Sequence, residues 1–265
     1  MITSTSNSKV KNVALLQKKA KERRTQNAFV VEGARIVSET PMDLLMEIYM
    51  SESFEKSGEY ERVAALVAKA KDAGAFVETV SDNVFEAMSD TVTTQGILAV
   101  VKKPEFAMRH LLVGTPHILV VETLQDPGNL GTIFRTAEGA GATGIIMNKT
   151  TVDLFSPKVV RSTMGSIYRM PHVIVEDLKD TIRDLQGSGI TFYAAHLKGE
   201  KFYDEFDYTK PTAFLIGNEG NGLSDEIADA ADEYMKIPME GQLESLNAAM
   251  AAGILMYEAH RQRSR

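Results

Sequence analysis

The strongest constraint on this chain's fold is a series of short apolar runs in its second half, separated by stretches of varied length, most of them helix-sized. Strands are expected over 118–122, 144–147, 172–175, 191–195, 213–217 and 233–237, with a long final helix over about 246–261. Several of these runs lack alternation between apolar and polar residues. That is the signature of strands covered on both faces, so a parallel sheet flanked by helices is expected. The first hundred residues also alternate. Ser8 can cap a helix carrying Val10, Val13, Leu16 and Ala20 at helical spacing, and strands are expected at 29–31, 44–50, 76–80 and 97–101. An alanine-rich helix over 61–73 ends at Gly74, and Asn83 and Glu86 have capping-box spacing for a further short helix. Pro104, Pro116 and weak periodicity mark a linker. The expectation is an α/β chain with a smaller α/β sandwich domain over 1–103, a linker over 104–115, and a parallel-sheet domain over 116–265.

Composition removes several function classes. Hydrophobic residues make up 44% of the 265 and charged residues 25%, enough to build a sizeable core. The longest apolar run, 248–257, is half of the roughly 20 residues needed to span a bilayer, and the amino terminus lacks the apolar core of a signal peptide. No membrane association is expected. With no cysteine, the chain has no disulfide, thiolate metal site or cysteine nucleophile, which suits a reducing cytoplasm. The five histidines never fall at the i, i+4 spacing of a helical metal site, so no metal is expected. A net charge of −7 argues at first against a polyanionic partner. The charge is uneven, however. Between residues 9 and 24 seven basic residues face one acid, whereas twelve acids and three lysines lie between 200 and 244. The basic run reads either as a solvated helix face or as a phosphate-binding edge formed by Lys9, Lys11, Lys18, Lys19, Arg23 and Arg24.

In a parallel sheet, ligands bind at the carboxyl ends of the strands, so the loops following them come first. After the strand at 118–122 the chain reads Gln125-Asp126-Pro127-Gly128-Asn129-Leu130-Gly131-Thr132, leading into a helix over 130–140. These residues stop a strand and cap a helix. That reading leaves Arg135 unexplained; six residues after Asn129, on the first or second expected turn, it either reaches the same mouth or is a solvated surface arginine. The second loop, Gly217-Asn218-Glu219-Gly220-Asn221-Gly222, holds three glycines in six residues, which let a ligand approach the main chain or simply give a flexible turn. Glu219 is its one acceptor-only charge. In the third stretch, 237–247, Ser245 and Asn247 either cap the final helix or face a ligand. Gly139-Ala140-Gly141-Ala142-Thr143-Gly144 matches GxGxxG, but a helix precedes it and a strand follows, the reverse of a dinucleotide fingerprint. These glycines are expected to end a helix, and an oxidoreductase reading rests on them alone.

Together PGNLGTIFRTAEGAG, FLIGNEGNGLS and IPMEGQLESLNAAMAAGILMYE resemble, in order and spacing, the three motifs of the SpoU/TrmH family of RNA ribose methyltransferases, within the SPOUT class. SPKVVRSTMGSIYRMP looks like the family's middle region, and KVKNVALLQKKAKERR with FVVEGARIV resembles a substrate-binding domain similar to a small ribosomal RNA-binding protein. The resemblance implies a trefoil knot and an S-adenosylmethionine pocket that maps to Leu215, Gly217, Ile237, Met239 and Leu246. It also implies a homodimer with the active site completed near the subunit interface. The implied reaction methylates a 2′-hydroxyl of RNA, ribosomal RNA being favoured over tRNA because of the extra domain. By the same resemblance Arg135 activates the hydroxyl, Asn129 places Arg135 or the ribose, Glu219 orders the second loop, and Ser245 and Asn247 position the nucleotide. A guanidinium is a poor base, so Arg135 is expected to stabilise the developing alkoxide instead. A non-enzymatic RNA-binding protein that kept the knot is the alternative from another class.

Overall fold

A computed structural model of the chain describes residues 1–196, 198–240, 242 and 245–264. By contact the chain forms two units: Met1–Glu105 with Phe155–Tyr168, and Phe106–Leu154 with Arg169–Arg265.

The first unit opens with helix α1 (Ser8–Lys18), which buries Val10, Val13 and Leu16. Asn7, rather than Ser8, caps it: the Asn7 side chain accepts from the Lys9 amide at 2.9 Å, and Ser8 is the first helical residue. At Lys19 the backbone becomes extended, and helix α2 (Ala20–Thr25) follows. The break strands carbonyls at the end of α1, and Arg23 donates to those of Leu16 and Gln17 at 2.6 and 2.9 Å while only 4% exposed. Arg23 therefore does not belong to a phosphate-binding edge. Lys9 is half committed as well, paired with Glu47 at 2.5 Å and lying over the Phe76 ring at 4.0 Å. Lys11, Lys18, Lys19 and Arg24 are exposed and form no ion pair among the described residues.

Strand β1 (Ala28–Glu32), helix α3 (Ala34–Ser38), strand β2 (Leu45–Ser51), helices α4 (Glu52–Glu55) and α5 (Glu61–Asp72), strand β3 (Phe76–Val80), helix α6 (Asp82–Met88) and strand β4 (Ile97–Lys102) complete most of this unit. The sheet runs β1-β4-β2-β3, with β4 antiparallel to both neighbours and β2 parallel to β3. Apolar residues of α1 and α6 pack with Tyr49, Val80, Leu98 and Val100 in one core cluster. The capping box expected from Asn83 and Glu86 does not form. Helix α6 starts two residues earlier, after Ser81, whose hydroxyl donates to Asn83 at 2.6 Å.

The stretch expected as linker contains a helical turn, α7 (Met108–Leu111). Leu111 is fully buried in the second unit's core, lying where a side chain on Gly144 would fall. Strand β5 (His117–Val121), helix α8 (Pro127–Gly139) and strand β6 (Gly144–Asn148) follow. Helix α9 (Pro157–Thr163) lies in the segment that groups by contact with the first unit. The chain continues through β7 (His172–Val175), α10 (Leu178–Gln186), β8 (Thr191–Ala195), β9 (Lys201–Phe202), β10 (Thr212–Ile216), α11 (Asp225–Ala228), β11 (Glu233–Lys236) and α12 (Ala248–Arg263). Only β9, two residues long, lacks an expected counterpart. All seven strands are parallel, in the order β7-β6-β5-β10-β8-β11-β9. Ile118, Val120, Phe192 and Leu215 pack with Ile182 of α10 and Ile227 of α11, while α8 and α12 pack against each other. Because the strands are parallel, the loops after β5, β10 and β11 all open on one edge of the sheet.

Candidate active site

The site begins at the start of α8. Asp126 caps the helix, accepting from the Asn129 amide at 2.8 Å, and Pro127 takes the first turn, where its missing N–H costs nothing. The helix thus starts three residues before the expected position. Arg135 becomes its ninth residue, on the third turn rather than the first or second, about 12 Å along the axis. It is exposed, and its guanidinium makes no hydrogen bond or ion pair among the described residues.

The loop after β10 closes on itself. Asn218 and Gly222 exchange backbone hydrogen bonds of 2.9 Å each, with Gly222 in the left-handed region at φ 70°. The Gly217 Cα lies so close to this closure that a Cβ there would sit 2.0 Å from the Gly222 carbonyl carbon. Asn218 accepts from the Gly220 amide at 2.9 Å and donates to the Thr123 carbonyl at 2.9 Å, linking this loop to the one after β5.

Glu219 strengthens the link. Its carboxylate accepts from the amides of Gln125 at 3.1 Å and Asp126 at 2.9 Å, and from the Asn129 side chain at 3.0 Å. Partial burial pushes the Glu219 carboxyl up, but the bonds from Asn129, Gln125 and Asp126 outweigh it and hold the group below the usual carboxylate range. Asn129 in turn accepts from the Asn247 side chain at 2.9 Å, and Asn247 caps α12 by accepting from Ala249 and Met250 at 3.0 and 3.2 Å. A continuous hydrogen-bonded line, Glu219–Asn129–Asn247, therefore joins three loops widely separated in sequence, and each bond polarises the next.

Arg135 and Ser245 stand outside this line; Ser245 is exposed and unbonded among the described residues. Leu215 is fully buried in β10, between Val120 and Ala194. Gly217 and Ile237 are the first residues past β10 and β11, Met239 is half-buried two residues further on, and Leu246 is 36% exposed just before the α12 cap. Residues 241, 243 and 244 lie outside the described residues. The glycines of the GxGxxG match end α8 and turn the chain into β6, with Gly141 at φ 69°.

Two supports escape a reading of the sequence. Glu122, just past β5, accepts from the Ser224 amide at 2.8 Å and hydroxyl at 2.7 Å, returning the tie that Glu219 makes in the other direction. Thr123 has φ 54°, unusual for a β-branched residue, and Asn148 holds it there by accepting from its amide at 2.9 Å and donating to its hydroxyl at 2.8 Å. Polar residues directly at the ends of apolar strands are the available signal.

A wholly parallel sheet with hydrogen-bonded loops crowded at its carboxyl edge defines an α/β protein with a ligand site at the strand ends. Residues 116–257 match the SpoU rRNA Methylase family, and residues 7–99 match the MRM3-like substrate binding domain. The 23S rRNA (guanosine(2553)-2′-O)-methyltransferase RlmP of Bacillus subtilis is 33% identical over 258 residues, covering 97% of each chain. An AdoMet-bound rRNA methyltransferase from Sinorhizobium meliloti superposes with a TM-score of 0.87 at 32% identity, covering 98% of this chain and 97% of that one. The AdoMet complex of the SpoU methyltransferase AviRb from Streptomyces viridochromogenes gives 0.85 at 27% identity, covering 97% and 98%. The chain belongs to the SpoU rRNA methylase family, and it is an S-adenosylmethionine-dependent RNA 2′-O-ribose methyltransferase.

Proposed function

We propose that the chain methylates a ribose 2′-hydroxyl of ribosomal RNA, with residues 1–103 binding substrate and 116–265 carrying the reaction. The observation that supports this reading is the Glu219–Asn129–Asn247 line, which ties three loops together, with Arg135 unpaired among the described residues on the helix that holds Asn129. The full-length similarity to an enzyme named for 23S rRNA favours ribosomal RNA over tRNA.

The residues present fit S-adenosylmethionine. Glu219, the only carboxylate in 217–224, is engaged by three donors, and the closure at Gly217 excludes a side chain. Recognition therefore falls to main-chain groups near Leu215, Gly217, Ile237, Met239 and Leu246, which suit a neutral adenosine. When bound, the cofactor supplies a methyl group on a cationic sulfur, an electrophile that needs no further activation. The chain's task is to hold the 2′-oxygen in line and stabilise the charge it develops. Arg135, with no competing partner among the described residues, offers its five N–H donors to that oxygen and to the adjacent phosphate. A guanidinium is a poor base and does not take the proton, which passes to phosphate or water. Asn129, held on both sides of its amide, and Asn247 present a fixed polar wall, Glu219 keeps the second loop in place, and Ser245 contributes a hydroxyl that is unbonded among the described residues.

We read the carboxy-terminal part as threaded into a trefoil knot. The support is the entry of β10 between β5 and β8, both earlier in the chain. The first unit, with its four-stranded mixed sheet, is read as the ribosomal-protein-like substrate domain. Met250 and Tyr257, seven residues apart on α12, are 61% and 50% exposed, and a second copy covering them gives the expected homodimer, working in the cytoplasm. The test is methyl transfer from labelled S-adenosylmethionine to total ribosomal RNA and total tRNA, followed by mapping of alkali-resistant sites. Product on ribosomal RNA is expected; no 2′-O-methyl product on either pool overturns the reading.

A further inference from the structure

Glu32, the last residue of β1, is only 6% exposed, yet its carboxylate serves a surface loop. It accepts from the Ser89 hydroxyl at 2.7 Å, the Thr91 hydroxyl at 2.9 Å and the Gln95 amide at 3.1 Å. The Gln95 side chain lies against Gly33, where a Cβ would fall 2.2 Å from its Oε1. Asp90, the loop's one acid, is paired with Arg161 at 3.3 Å. A buried carboxylate is tolerated when donors replace its hydration, and three of these donors come from a single seven-residue loop. What this loop holds out is Val92, fully exposed at 106%, with Thr93 exposed beside it. Val92 adds nothing to the core. A rigidly supported loop that displays an apolar side chain has the construction of a preorganised contact.

We propose that the 89–95 loop contacts the RNA substrate, with Val92 packing on an unpaired base and flanking cations, Lys158 foremost, meeting phosphates. The inference rests on the RNA methyltransferase reading and adds where the first unit touches its substrate. Val92 is a single apolar point among hydroxyl and amide groups. A protein partner needs a contiguous patch of hundreds of Å², whereas one unstacked base needs an apolar contact and a few hydrogen-bonding groups. The charge is also suitable. Arg161 neutralises Asp90, Lys158 is exposed one turn earlier on α9, and Arg35, two residues after Gly33, has a side chain 71% exposed although it lies 3.6 Å from the Glu39 carboxylate. Phosphate contacts would hold the strand in register while Val92 meets the base.

The natural chain has no cysteine, so Val92→Cys introduces a unique thiol. Labelled with a benzophenone maleimide and irradiated with total ribosomal RNA, this chain should crosslink to RNA at least fivefold more than a Lys71→Cys chain labelled on the exposed face of α5. Val92→Asp should weaken RNA binding at least fivefold, leaving the thermal midpoint and S-adenosylmethionine affinity unchanged. Crosslinking at the control level, unchanged RNA affinity of Val92→Asp, or crosslinking to ribosomal protein instead of RNA when ribosomal subunits are supplied overturns the inference. These outcomes are read against a wild-type chain that methylates the same RNA. An inactive wild type removes the methyltransferase reading, whereas an active one with an indifferent residue 92 removes only this proposal.

Discussion

Asn129 shows how much one side chain does here. Its amide nitrogen is committed to Glu219 and its oxygen to Asn247, so the flip that would exchange them is excluded by both partners. Arg135 is the opposite case, a guanidinium on the same helix with no partner among the described residues. Replacing it by lysine keeps the charge but loses the planar fork. Arg135→Lys should lower single-turnover methylation about 100-fold, the scale of one missing transition-state donor, with S-adenosylmethionine affinity unchanged. Near-normal turnover would show that guanidinium geometry is not the key. Two histidines away from the site make an acid-sensitive pair. Burial, and for His117 also the nearby charges of Arg263 and His260, pull His117 and His172 down from 6.5 to about 4. Folding thus favours the neutral rings: their contribution is complete above about 6.5 and is lost as pH falls towards 4. The thermal midpoint should drop across that window, and His117→Leu, which removes a buried Nε2 that lacks a partner among the described residues, should make the drop shallower. An identical slope in the variant would exclude His117 as a cause.

At the scale of elements, the loop after β10 works as a closed unit whose shape depends on Gly217. Because a Cβ there meets main-chain atoms of Gly222 and Leu223, at 2.0 and 2.1 Å, no side-chain rotation can relieve the clash. Gly217→Ala should reduce S-adenosylmethionine affinity at least tenfold in equilibrium dialysis while the far-UV circular dichroism stays native. Wild-type affinity would mean that the loop opens without consequence. The helix starts show what local reading misses. Pro127 and Gly128 look like turn residues, which places the expected start of α8 at 130, yet proline is well suited to a first turn once Asp126 caps it. For Asn247 the sequence leaves open the choice between cap and site residue. The structure uses both ends of the amide, the oxygen for the cap and the nitrogen for Asn129.

Over the whole chain, the uneven charge becomes interpretable once each cation is placed. Of the basic run, Arg23 serves the α1 carbonyls and Lys9 serves Glu47, leaving Lys11, Lys18, Lys19, Lys21 and Arg24 exposed. Neutralising Lys18, Lys19 and Arg24 together should reduce the salt dependence of RNA binding, by up to about 0.9 in log–log slope for each phosphate that is no longer neutralised. Arg23→Ala should instead lower the thermal midpoint and leave that slope alone. A full wild-type slope in the triple variant would return this edge to an ordinary solvated face.

The sequence by itself determined the strand and helix alternation, the parallel sheet and the family, because apolar runs and motif residues are local properties that burial and backbone chemistry act on directly. Tertiary structure decided which motif residues meet. Asn129 bonds to Glu219 and Asn247, 90 and 118 residues away, because β10 enters the sheet beside β5 and α12 returns against α8. It also decided that Arg23 turns inward and that a buried Glu32 holds up a distant loop. Hydrogen bonds of this kind depend on strand order and on where helices break, and no periodicity along the chain encodes either.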